Sequence, residues 1–210
     1  MDGCAIHRAL AWPRLGVADY YGRIVITIVS GLPRSGTSLM MQMLAAGGMP
    51  LLTDLERNPD VDNPRGYCEW DGIKFLPQEP NRIDEAEGKA VKVISQLLLS
   101  LPQGRNYKVI FMERPLPEVL ASQDEMLKRR GSTEFVDSAR LTSAFRDHMR
   151  EVVDWLEHRS DIPVCRVGYR KVLSDPTGPA NAVREFLNID LNVEAMALVV
   201  DPSLYRNRRP

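Results

Sequence analysis

Six residues within an eight-residue stretch have the types and the spacing to hold an anion. Gly31, Arg34, Ser35, Gly36, Thr37 and Ser38 lie in IVSGLPRSGTSLMMQML, residues 28 to 44. The two glycines are five positions apart, as in the phosphate loop G-x-x-x-x-G-K-S/T, and the loop leaves a β-branched run to enter a helical pattern. In that setting backbone N–H groups converge on an anion and the helix start adds about half a positive charge. Thr37 and Ser38 bring hydroxyl donors. The ATP-binding form carries lysine just before its Ser/Thr to reach the outer phosphates. Here Thr37 stands in that place, and the only cation of the loop is Arg34, whose planar fork suits a terminal phosphate or sulfonate. A ligand-free strand–helix turn is the alternative, and it gives no reason for this set of polar residues.

The elements that position the loop follow from periodicity. Residues 24–30 are a continuous apolar run, as in a parallel strand covered on both faces. A helix over 37–47 puts Leu39, Met40, Met43 and Leu44 on one stripe, which reads as core. Residues 90–95, 107–112 and 163–168 read as further strands. Helices are expected over 117–130, started by Pro117 and stopped at Gly131, over 133–158, after DPTGP at 175–179, and over 192–200. Strands alternating with helices define an α/β fold with a central, mostly parallel sheet. Residues 50–88 are rich in Asp, Asn, Pro and Gly and read as an irregular insertion. Residues 1–22 read as an N-terminal extension to a single domain over 23–210.

Composition narrows the partners. The net charge of −1 over 210 residues gives no general attraction to nucleic acid or anionic lipid, so an anion site must be built locally. No apolar run approaches the length of a membrane span. Cys4, Cys68 and Cys165 fit no metal spacing and suit a reducing compartment, so the expected location is the cytoplasm.

PRSGTS after a strand resembles the 5′-phosphosulfate loop of sulfotransferases, P-K/R-S/G-G-S/T-S/T, and bacterial and tyrosylprotein sulfotransferases with arginine at this place are the most similar. These enzymes use 3′-phosphoadenosine 5′-phosphosulfate (PAPS), and their fold resembles the P-loop kinases. The resemblance implies a sulfuryl transferase with Pro33, Arg34, Ser35, Gly36, Thr37 and Ser38 around the 5′-phosphosulfate and no required metal. A second segment, VIFMERPLPEVLASQ, is similar to the family's 3′-phosphate motif: Arg114 at a strand end and Ser122 eight residues later on the next helix. That context suits a ligand lying beyond the carboxyl ends of the strands. A third, GKAVKVISQ, resembles the strand that ends in Lys-Thr-His. Lys92 matches the lysine that contacts the sulfonate, while Ile94 stands where cytosolic members carry a catalytic histidine. A fourth, VGYRKVLSDP, resembles Tyr-Glu-x-Leu…Asp-Pro. It implies that Tyr169 touches the adenine, with Arg170 in place of the usual Glu.

With His7 in the extension and His148 and His158 on a long helix, the base for the acceptor is expected to be a carboxylate. Asp54 is the first candidate: it lies shortly after the first helix, within one residue of the register at which the resemblance to tyrosylprotein sulfotransferases implies a catalytic Glu; Glu69 in NPRGYCEW is the second and Glu56 the third. Tyr67, Trp70 and Phe75 either form an acceptor pocket or lid, or a small satellite core. Arg206, Arg208 and Arg209 read as a solvated tail. The acceptor is a small molecule, a peptide or a glycan. The competing functions are a P-loop ATP-dependent kinase, with Glu113 as the acid at the end of the third strand, and a nucleotide-binding protein without activity.

Overall fold

β-branched residues and their alternation set the sheet. In the computed structural model, which describes residues 24–54, 60, 63, 65–129, 138–201 and 203, four strands pair in parallel. They are β1 (Ile26–Gly31), β2 (Ala90–Lys92), β3 (Tyr107–Glu113) and β4 (Val164–Gly168), in the order β2-β1-β3-β4. Ile28 pairs with Val91 and Val109, and Met112 with Val167. After β1 the chain runs to β2 on one side and returns to β3 on the other. The end of β1 is therefore the point at which connections diverge, where open α/β sheets bind ligands.

Each face of the sheet has its own core. Ile28, Val109 and Phe111 point to one face, and meet Leu98 of α2 (Ser95–Leu98) and Val152 and Leu156 of α4 (Ser138–His158). Val29, Ile110 and Met112 point to the other face. There they meet Met40, Met43 and Leu44 of α1 (Thr37–Ala46) and Val183 and Leu187 of α6 (Thr177–Leu187). The methionine stripe is thus core. Helix α3 (Leu116–Arg129) follows β3, α5 (Tyr169–Ser174) follows β4, and α7 (Val193–Leu198) packs on α1. Among the described residues no helix is long and apolar enough to cross a membrane.

Two short helices replace what periodicity suggested. The apolar run at 90–95 is strand only to Lys92, because Ile94 turns outward at φ −60, ψ 152 and α2 starts at Ser95. Tyr169 follows β4 as expected but opens a helix of its own. The segment over 65–88 holds two 3-10 helices, Asp71–Phe75 and Pro80–Ala86. Trp70, Ile73, Leu76 and Ile83 join the α4-side core, so they form no separate satellite. Phe75 is half-exposed, with the Arg82 guanidinium 5.3 Å from its ring.

Four buried side-chain oxygens, those of Thr27, Ser30, Ser35 and Tyr107, depart from the rule that buried polar atoms are paired. The Tyr107 hydroxyl is buried without a hydrogen-bond partner among the described residues, and burial pushes its pKa up. Tyr107→Phe removes an unsatisfied oxygen and keeps the ring. The urea midpoint is expected to stay level or rise, by up to about 1 kcal/mol in stability. A loss of that size would show that the hydroxyl is satisfied.

Candidate active site

The loop after β1 takes its shape from three residues in the left-handed half of backbone space. These are Gly31 (φ 146), Arg34 (φ 71) and Gly36 (φ 101). Such alternations turn successive N–H groups toward one concavity. A Cβ at Gly31 would lie 2.5 Å from Ser35 Oγ and 2.6 Å from the Met112 carbonyl oxygen. A Cβ at Gly36 would lie 2.5 Å from Cδ2 of Tyr169. The Ser35 N–H closes the turn on the Leu32 carbonyl at 3.1 Å, and α1 starts at Thr37 with Gly36 as its cap. Ser35 Oγ is buried and has no partner among the described residues. An orphaned hydroxyl in a glycine cradle at a helix start fits a phosphate or sulfonate oxygen.

Two arginines lock this loop to its neighbours. Arg114, one residue past β3, donates from Nη1 to the Arg34 carbonyl at 2.9 Å. Its Nε lies 3.0 Å from Oε2 of Glu118, one turn along α3. Its guanidinium stacks 4.6 Å from the Tyr169 ring centroid. Arg34 in turn donates from Nε to Ser122 Oγ at 2.9 Å. So the loop cation, the strand-end arginine, the helix serine and Tyr169 form one connected unit. A cavity of about 400 Å³ opens beside Ser35 and Arg114, with Leu32, Phe111 and Met149 as apolar wall and Arg146 as a further cation. That volume suits a small ligand.

On the other side of the loop stands Lys92, the last residue of β2 and only 5% exposed. Its Nζ donates to Glu69 Oε1 at 2.9 Å, to the Tyr67 carbonyl at 2.6 Å and to Ser38 Oγ at 3.2 Å. Ser38 also donates to the Tyr67 carbonyl at 3.1 Å. Glu69 is thereby held at the loop, half-exposed. Asp54 lies on the adjoining segment, its N–H on the Glu69 carbonyl at 3.2 Å, but its own carboxylate is exposed and accepts the Asp71 N–H. Cys68, beside the Lys92–Glu69 pair, has its thiol pushed up by burial, with Lys92 opposing, so it stays protonated at neutral pH.

The structure therefore brings together Arg34, Ser35, Gly36, Thr37, Ser38, Lys92, Glu69, Arg114, Ser122 and Tyr169 along one sheet edge. Pro33 forms the outer bend of the loop. Asp54 adjoins this group through its N–H on the Glu69 carbonyl. Glu56, His7, Arg206, Arg208, Arg209 and residues 1–22 lie outside the described residues. His148 of α4 reaches Ser95 Oγ at 2.9 Å, just past β2. Spacing missed one member. Glu118 is fully buried and binds Arg114 with one oxygen and Arg170 with the other, Arg170 Nε being 2.6 Å away. Its one sequence signal was the four-residue offset from Arg114 at a helix start.

A glycine loop at the diverging point of a parallel sheet, with cations on both sides, is a site suited to an anionic ligand. The family model for the sulfotransferase domain matches residues 26–209, and the chain belongs to the sulfotransferase family. A search of curated proteins returns no match. Three solved structures share the fold. The sulfotransferase domain of the Synechococcus PCC 7002 olefin synthase has a TM-score of 0.53 at 18% identity, covering 90% of this chain and 89% of that one. Sulfotransferase STF1 from Mycobacterium tuberculosis gives 0.54 at 15%, covering 84% and 71%. The sulfotransferase domain of the curacin biosynthetic pathway gives 0.51 at 16%, covering 89% and 92%.

The loop geometry makes a graded prediction. Gly31→Ala meets a backbone oxygen, so it is expected to cost about 1–3 kcal/mol that no second change recovers. Gly36→Ala meets a side chain, so Tyr169→Ala should recover part of its loss in the double variant. Equal, unrecoverable losses in urea unfolding would contradict the assigned contacts.

Proposed function

We propose that this sulfotransferase takes PAPS as donor and a hydroxyl or amine as acceptor. The observation that carries the reading is the Arg34–Ser122 and Arg114–Arg34 pair of contacts, which couples the loop to a second cation site. A donor with a phosphate at each end of its ribose needs two such sites side by side, and ATP does not. PAPS supplies the activated sulfonate and a phosphate leaving group. The loop N–H groups, Ser35, Thr37 and Ser38 would hold its 5′-phosphosulfate, and Arg114 with Ser122 its 3′-phosphate. Tyr169 flanks Arg114 and would meet the adenine. The acid at the end of the third strand, which a kinase would use for a metal, is Glu113, and it faces Arg166 at 2.9 Å.

Arg34 and Lys92 would neutralise charge that develops on the leaving oxygen. Preorganised donors of this kind are worth about 10²–10³ in rate each. Glu69 is the base in this reading, because the Lys92 ammonium holds it at the loop, whereas the Asp54 carboxylate is spent on Asp71. It would accept the acceptor's proton as the acceptor atom bonds to sulfur. The acceptor is a small molecule, peptide or glycan, and a screen of such acceptors with labelled PAPS identifies it. We also place the enzyme in the cytoplasm, because three widely spaced cysteines, Cys4, Cys68 and Cys165, suit a reducing compartment.

The donor reading is tested by thermal shift. At a hundredfold excess over Kd, 3′,5′-ADP adds about 2.7 kcal/mol. For a chain of this size that raises Tm by roughly 5–10 °C. A shift with ATP–Mg²⁺ and none with 3′,5′-ADP would sink it. Glu69→Gln should lower kcat by about 10²–10⁴ and leave 3′,5′-ADP binding within about twofold. Asp54→Asn should cost under about tenfold; the reverse pattern assigns the base to Asp54.

A further inference from the structure

Arg170 is the residue by which the fourth segment departs from the family pattern, and the geometry gives it a task. It is the second residue of α5, next to Tyr169, whose ring lies against the loop at Gly36 and under the Arg114 guanidinium. Its Nε is 2.6 Å from Oε1 of Glu118, and a second guanidinium nitrogen also contacts that oxygen. The other oxygen of the same carboxylate holds Arg114 at 3.0 Å. Glu118 is 1% exposed, Arg114 6% and Arg170 51%. A buried carboxylate thus gathers one guanidinium from the end of β3 and one from the start of α5, and half of the second faces solvent. Two guanidinia on one carboxylate leave a net positive charge at this point. An anion with several oxygens is the ligand that two such forks fit.

We propose that Arg170 is a second guanidinium for the 3′-phosphate of the donor, and that Glu118 is the positioning residue that presents Arg114 and Arg170 together. This rests on the PAPS reading above. Glutamate at position 170 would set two carboxylates against each other. Arginine instead turns the same place into an anion ligand. Because the Arg170 side chain is 51% exposed and Glu118 keeps Arg114 as a partner, truncation of Arg170 leaves the buried carboxylate paired. Glu118 acts through the arginines, so the residue sets discrimination between nucleotides and not the chemical step.

The experiment is calorimetric titration of the full chain with 3′,5′-ADP and with 5′-AMP, alongside steady-state kinetics with PAPS. Arg170→Ala should weaken 3′,5′-ADP by about tenfold and 5′-AMP by less than about twofold, as expected for one lost charge-assisted contact. Arg170→Lys should recover part of the loss. Glu118→Gln, which keeps shape and removes charge, should raise KM for PAPS with kcat nearly level and lower the 3′,5′-ADP to 5′-AMP ratio. Arg114→Ala is the reference and should abolish the ratio. If Arg114→Ala abolishes it and Arg170→Ala keeps the wild-type ratio, the Arg170 proposal is wrong and the donor reading stands. If the wild type shows no preference for 3′,5′-ADP, both fall.

Discussion

The guanidinium of Arg114 is almost wholly removed from water and still carries its charge. Burying a charge is costly unless it is paired and hydrogen-bonded. Three partners meet that requirement, and each belongs to a different element: the Glu118 carboxylate on α3, the Arg34 carbonyl in the loop and the Tyr169 ring on α5. Removing one member of such a buried pair typically costs about 3–5 kcal/mol, because the survivor is left uncompensated. The contact to the Arg34 carbonyl matters most for the site. Arg34 is a non-glycine residue at positive φ, a conformation that persists only where the surroundings over-determine it. The buried cation is one such surrounding, and the clash-free approach of Gly36 to Tyr169 is another.

Around that anchor, the sheet does the spacing. All four strands run the same way, so Gly31, Lys92, Glu113 and Gly168 end at one edge. Because β1 lies between β2 and β3, Lys92 and Arg114 flank the loop from opposite sides. Strands lie about 4.8 Å apart, so the backbones that carry Lys92 and Arg114 leave the sheet roughly 10 Å apart. That is the scale of a ribose with a phosphate group at each end. The two helix layers hold this arrangement by packing large apolar side chains on each face, and the site itself contributes little to the core.

Much of this was legible in the chain because it is local. The β-branched run, the glycine spacing and the polar residues of GLPRSGTS specify strand, turn and helix start within a dozen positions. Arg114 and Ser122 share one strand–helix unit, so their spacing also survives in the sequence. What spacing does not encode is which distant groups meet. Nothing near Arg170 shows that it will find Glu118, 52 positions earlier. The rank of the carboxylates is another such case. Asp54 and Glu69 look alike as loop acids, and only the folded segment shows that Lys92 takes Glu69 while the Asp71 N–H takes Asp54. The short helices α2 and α5 are four and six residues long, too short for a period to appear.

The near-neutral chain and the strongly polar edge are compatible because the charge is concentrated, not added overall. Arg34, Lys92, Arg114 and Arg170 stand against Glu69 and Glu118, so the edge keeps a positive excess while the molecule carries −1. The carboxylates are what make such crowding of cations tolerable before a ligand arrives. Each one also fixes a direction: Glu69 holds Lys92 toward the loop hydroxyl of Ser38, and Glu118 turns two guanidinia to one point. Fields from cations partly shielded from solvent are screened less than those of free surface charges. In the proposed reading, a donor anionic at both ends would be met by fixed groups at both ends, and a ligand with one anionic end would satisfy only half of them.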